Sequence, residues 1–136
     1  MKQFNTRRLT DDDWDTLCKW WESWPKWVNP PKSFLPDNGK GGFMVEKNKQ
    51  PVCAGFIYQT NSDAVLLEWI VSDPDYREDD RKEAIELLII EAEKACKQIG
   101  KKYMFSIGRN KHLIETHKKL EWTVDTSPSY ELVKNI

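Results

Sequence analysis

Glu68 is the residue of this chain with the clearest capacity for proton chemistry. It interrupts the otherwise apolar run Ala64–Val71, AVLLEWIV. Two readings stand side by side. Glu68 either meets solvent or a nearby Lys or Arg, or it is a buried carboxylate whose raised pKa makes it a proton acceptor near neutral pH. His117 offers the complementary group. It falls on the apolar side of a helical pattern, with Leu113, Ile114 and Leu120. There it is either a satisfied, partly buried side chain or a proton donor, its unperturbed pKa being about 6.5. His112 and His117 lie five apart and so off one helical face, and no metal site is expected from them. No Ser-His-Asp or Cys-His arrangement stands out.

These groups need elements to hold them. Ala64–Val71 has the length and content of a strand buried on both faces, and Asp73-Pro74 ends it. From Arg81 to Ile99 the period changes: Ile85, Leu88, Ile89, Ala92, Cys96 and Ile99 share one helical face. Asp80 with Glu83 reads as a capping box, and Gly100 as the stop. Tyr103–Ile107 is a second short strand. Strand, helix, strand is a βαβ unit with parallel strands and a right-handed crossover. Its crevice lies at the carboxyl ends of the strands, where the helix start presents unpaired N–H groups to an anion.

Around this unit the chain reads in order as follows. Gln3–Leu9 is a candidate strand. Thr10 begins a capping box before a helix carrying Trp14, Leu17, Cys18 and Trp21, which ends near Ser23. Pro25, Pro30, Pro31 and Pro36 exclude a long element next, while Trp24, Trp27, Phe34 and Leu35 require that stretch to pack down. Gly42–Lys47 and Val52–Gln59 form a hairpin across Asn48–Pro51. Asn110 can cap the last helix, and Trp122–Val124 and Tyr130–Val133 are two closing strands around Pro128. No repeat or linker divides the 136 residues, so a single domain, 1–136, is expected.

Composition excludes several classes. Net charge is −1 with 32% charged residues, so nothing global calls for nucleic acid or an anionic membrane. No apolar run is long enough to cross a bilayer, and MKQFNTRR is not followed by the apolar stretch of a signal peptide. Cys18, Cys53 and Cys96 contain no C-x-x-C pair and read as reduced thiols of a cytoplasmic protein. Lysines and arginines enrich the last third: a solvated face, a contact for a phosphate of an anionic ligand, or a weak nucleic-acid patch.

The segments LEWIVSDPDYR, Leu67–Arg77, and NKHLIETHKKLEW, Asn110–Trp122, together with the ending Tyr130–Lys134, resemble the GNAT superfamily of acyl-CoA-dependent N-acyltransferases. Within it the chain is similar to small GNAT-like proteins of phage and marine environmental sequences. The resemblance implies an α/β (α+β) fold: a mixed, mostly antiparallel sheet of six to seven strands, helices on both faces and the βαβ unit at its centre. It implies acetyl-CoA, or another acyl-CoA, as co-substrate. The pantetheine arm would pair with the strand edge at Ile70 and Val71. The pyrophosphate would rest on the loop and helix start at Arg77, Arg81 and Lys82. Asn110 would either touch the pantetheine or cap its helix.

By the same resemblance, Glu68 would deprotonate the amine, and His117, where the family frequently has Tyr, would protonate the leaving thiolate. Trp24, Trp27 and Phe34 occupy the acceptor-binding segment, although aromatic residues also serve as core. The acceptor would be a small-molecule or peptide amine, and a homodimer is left open. The chain departs from the family in the pyrophosphate loop, where Glu78, Asp80 and Lys82 stand at positions usually held by glycine. The alternative is therefore a catalytically inactive binding module that keeps the fold.

Overall fold

The structure, a computed structural model, describes residues 3–25, 27–127 and 129–136. Its elements are β1 (Phe4–Arg8), α1 (Trp14–Ser23), β2 (Gly42–Lys47), β3 (Gln50–Gln59), β4 (Ala64–Ser72), α2 (Arg81–Gln98), β5 (Tyr103–Phe105) and α3 (Lys111–Lys119). Short helical turns at Asp11–Asp13, Lys32–Phe34 and Pro36–Gly39 complete it; in the Pro-rich stretch Leu35 packs down as expected, whereas Trp27 and Phe34 stay exposed. One sheet runs β1-β2-β3-β4-β5. Its first four strands are antiparallel, and β5 is parallel to β4.

Alternation along the strands sorts the core into two layers. Met44, Ala54, Phe56 and Val71 face α1 and pack on Leu17, Trp20 and Trp21. Val45 and Cys53 face the other way, onto Ala84 and Leu88 of α2, and a register irregularity beside Val45 brings Val52 to the same side. Leu67 joins Ile89 and Ala92 there, with Leu120 and Trp122 from the α3 end against them. The first helix starts as expected. Asp12 N–H donates to Thr10 Oγ1 (3.2 Å), and Thr10 N–H donates to Asp13 Oδ2 (2.9 Å). Asp13 is buried and accepts from the two terminal guanidinium nitrogens of Arg7, each at 2.8 Å. That pair holds its carboxyl below the usual range although burial acts to raise it.

Four expectations are corrected. The described residues form five strands, not six to seven: Trp122–Val124 and Tyr130–Val133 are not paired. β5 is only three residues long, which leaves little ladder for a further strand to pair with, and its Tyr103 and Phe105 stay exposed. The capping box at α2 is absent. Asp80 occupies the N-cap position, but its carboxylate accepts from Lys47 Nζ (2.6 Å) and Tyr76 Oη (2.7 Å). Ile99 is 55% exposed because α2 ends at Gln98, and Ala84 takes up the buried stripe instead. The hairpin loop is the two residues Asn48-Lys49, both at positive φ (51° and 67°), which suits the right-handed twist of the strands. Pro51 therefore lies within β3.

Candidate active site

β4 and β5 pair only from Ala64↔Tyr103 to Leu66↔Phe105. Beyond Leu66 they part, and the β5-facing edge of β4 has no strand partner. Two residues further along each strand, Glu68 Oε2 accepts the Ile107 N–H at 2.8 Å. The carboxylate therefore sits at the vertex of the opening. Burial pushes its pKa up to about 7, the Ile107 hydrogen bond opposes this, Glu131 adds to it and Arg109 subtracts. Arg109 holds Glu131 at 2.7 Å. Glu68 is thus half-buried, and that burial is the largest influence on its carboxyl.

A bulge places the next residue. Ala54 pairs with Val71 and Phe56 with Glu68, so β4 has one residue more than β3 in this interval. Trp69 absorbs it with φ +57°, a left-handed conformation costly for a large side chain. Leu67 and Ile70 consequently pack on the α2 side, while Trp69 and Val71 pack on the α1 side. The Trp69 ring meets Trp21 (5.7 Å between centroids), Trp27 (5.7 Å) and Phe34 (6.0 Å), all edge-on.

The remaining expected site residues separate into those the structure gathers here and those it does not. Ile70 and Val71 lie on the free stretch of β4. Trp27 and Phe34 converge on Trp69. Trp24 does not join them: its indole donates to the Ser72 carbonyl (2.8 Å), and Arg81 lies 5.3 Å from its ring. Arg81 itself donates to Ser72 Oγ (2.7 Å) and the Asp73 carbonyl (3.1 Å), so its charge is held at the end of β4. Arg77 and Lys82 are exposed. Arg77 borders a shallow hollow of about 270 Å³ with Lys47, Gln50 and Tyr76. Asn110 is a cap: its Oδ1 accepts from His112 N–H (2.9 Å) and Leu113 N–H (3.1 Å).

His117 is buried. Its Nδ1 is 2.8 Å from the Leu113 carbonyl, its Nε2 has no partner, and its ring meets Trp122 edge-on at 4.7 Å. Trp122 donates to Glu93 of α2 (2.8 Å), which fixes this cluster on the α2 side of the sheet. The described contacts of His117 and Glu68 have no residue in common. Among the described residues, no group of three His, Cys, Asp or Glu side chains could hold a metal ion.

The loop without glycine is accommodated. None of Arg77–Asp80 has a positive φ, so no position there demands glycine. The Asp80 carboxylate is turned to Lys47 and Tyr76. What the sequence did not disclose was the Lys47–Asp80–Tyr76 triad, joining residues 33 apart, and the Trp69 bulge. The sole local sign of the latter was a carboxylate and an indole in succession within an apolar run.

Parallel strands that part beside a helix start, next to a four-stranded antiparallel meander, decide the architecture. The chain has the GNAT acyltransferase fold. An aminoglycoside acetyltransferase from an uncultured soil metagenomic sample superposes with a TM-score of 0.68 over 98% of this chain and 97% of its own, at 11% identity. The ribosomal-protein-S18-alanine N-acetyltransferase of Escherichia coli gives 0.67 over 86% of this chain and 76% of its own, at 16% identity. N-acetylglutamate synthase of Neisseria gonorrhoeae, complexed with coenzyme A and L-arginine, gives 0.69 over 87% of this chain and 27% of its own, at 9% identity. No family model and no curated protein matches the sequence. The GNAT likeness thus rests on the fold, and among the described residues no helix is long and apolar enough to cross a membrane.

Proposed function

We propose that this chain is an acyl-CoA-dependent N-acyltransferase in which Glu68 is the general base. One observation carries the reading: a half-buried carboxylate with a pKa near 7 is fixed at the vertex of parted parallel strands by the Ile107 N–H. A general base serves best when its pKa lies near the working pH. The residues also fit a coenzyme. The unpaired edge of β4 at Ile70 and Val71 would receive the pantetheine amides, and Arg77, Lys82 and the exposed start of α2 would meet the pyrophosphate. The thioester would supply an activated acyl carbon.

Glu68 would take a proton from the acceptor ammonium, and the free amine would attack the acyl carbon. A C–N bond forms, the C–S bond breaks, the proton that Glu68 took passes to solvent, and the second proton shed by the attacking nitrogen passes through water to the thiolate after it departs. His117 is not assigned the acid's part, because its ring is enclosed by Trp122 and its Nδ1 is engaged by Leu113. A thiol of pKa about 8.5 leaves tolerably as the anion.

One observation favours a second reading, an inactive module. Arg81 and Asp80, the first charges at α2, are both bound to the protein's own groups. Calorimetry with acetyl-CoA separates the two. Binding at micromolar to millimolar coenzyme supports the enzyme, and no heat at about 5 mM leaves the binding module.

A further inference from the structure

Trp21 and Phe56 are wholly buried and complete the core, whereas Trp27 and Phe34 are 38% and 44% exposed yet both meet Trp69 edge-on. Core filling does not explain two large apolar side chains held at the surface against the same ring. Trp69 and the Phe34 backbone are anchored. Trp69 is fixed by its bulged backbone and by Trp21 beneath it, and the Phe34 carbonyl accepts the Tyr58 hydroxyl at 3.1 Å. Rings whose positions are set in advance lose little freedom when a ligand stacks on them.

We infer that Trp27, Phe34 and Trp69 form the acceptor site, and that it takes an arylalkylamine: a primary ammonium on a short chain ending in an aromatic ring. The inference rests on the acyltransferase reading. The ring would stack on the exposed platform, and the ammonium would lie toward Glu68, the residue preceding Trp69. Charge argues for a monocation. Glu131, the other acid acting on Glu68, is already paired with Arg109. Lys32, two residues before Phe34, lies 5.4 Å from the Trp14 ring and 4.0 Å from the Asp11 carboxylate, which it already engages. A polyamine or aminoglycoside would meet that lysine with too few carboxylates in return.

The test uses the full chain without coenzyme and follows the indole N–H signals by NMR. Phenethylamine, phenethyl alcohol and spermidine are the probes. Phenethylamine should shift the Trp27 and Trp69 signals and saturate, and the alcohol and spermidine should each bind at least about tenfold more weakly. Trp27→Ala and Phe34→Ala should each weaken phenethylamine about tenfold, with Phe34→Leu as the variant that keeps loop packing. Equal binding of the alcohol or of spermidine overturns the inference. So does wild-type affinity in the folded variants, or no phenethylamine shift at about 20 mM. Coenzyme binding is titrated separately. If it fails while phenethylamine binds, the acyltransferase reading falls and the arylalkylamine site remains.

Discussion

The Glu68 carboxylate accepts the Ile107 amide hydrogen across the gap between β4 and β5, at 2.8 Å. It therefore replaces the strand pairing that stops two residues earlier at Leu66↔Phe105. The same contact orients the carboxylate and keeps the two strands from closing on each other.

Stability should depend on this group in a direction opposite to that of most carboxylates. The Glu68 pKa is raised from 4.5 to about 7 in the folded chain. The folded state thus holds the proton more tightly than the unfolded one. The stabilisation is complete below about pH 4.5 and is lost as pH rises through 7. Glu68→Gln removes the titration and should raise stability at pH 8 by about 2 kcal/mol after solvent screening. Urea unfolding of both proteins at pH 5 and pH 8 measures it, and a variant no more stable than wild type at pH 8 refutes it.

The charges beside Glu68 should tune it. Glu131 raises its pKa and Arg109 lowers it. Glu131→Gln should move the carboxyl titration, read by NMR, toward lower pH, and Arg109→Gln should move it higher. Movement in the opposite senses would show that the tail does not lie against the vertex.

His117 is placed as a packing residue. His117→Ala should lower stability by about 2 kcal/mol through the cavity left against Trp122. The turnover of the folded variant should fall less than about threefold, because general acid–base partners typically contribute far more. A large loss of turnover at unchanged thermal stability would return it to the chemistry.

How much of this was legible follows from the range of the forces involved. The change of period from Ala64–Val71 to Arg81–Ile99 announced the βαβ unit, because burial repeats locally. Glu68 was conspicuous as a carboxylate in an apolar run. Asn110 was readable as a cap because its partners, His112 and Leu113, are two and three residues away. Asp80 was misread for the converse reason: Thr10's cap partners are local, but those of Asp80 include Lys47, 33 residues distant. The Trp69 bulge is set by pairing with β3, which nothing in the order of residues encodes. The closing strands failed because alternation in Tyr130–Val133 specifies a face and not a partner, and the three-residue β5 gives them little ladder to pair with.

The central claim is most directly tested by the pH dependence of coenzyme-dependent amine acylation in wild type and Glu68→Gln at saturating coenzyme. With Glu68 as base, the wild-type rate should rise with pH and level off above an apparent pKa of about 7. The Gln variant should be at least about a hundredfold slower at pH 7.5 and lack that inflection. A variant that keeps the wild-type rate and the same profile would contradict the assignment of Glu68.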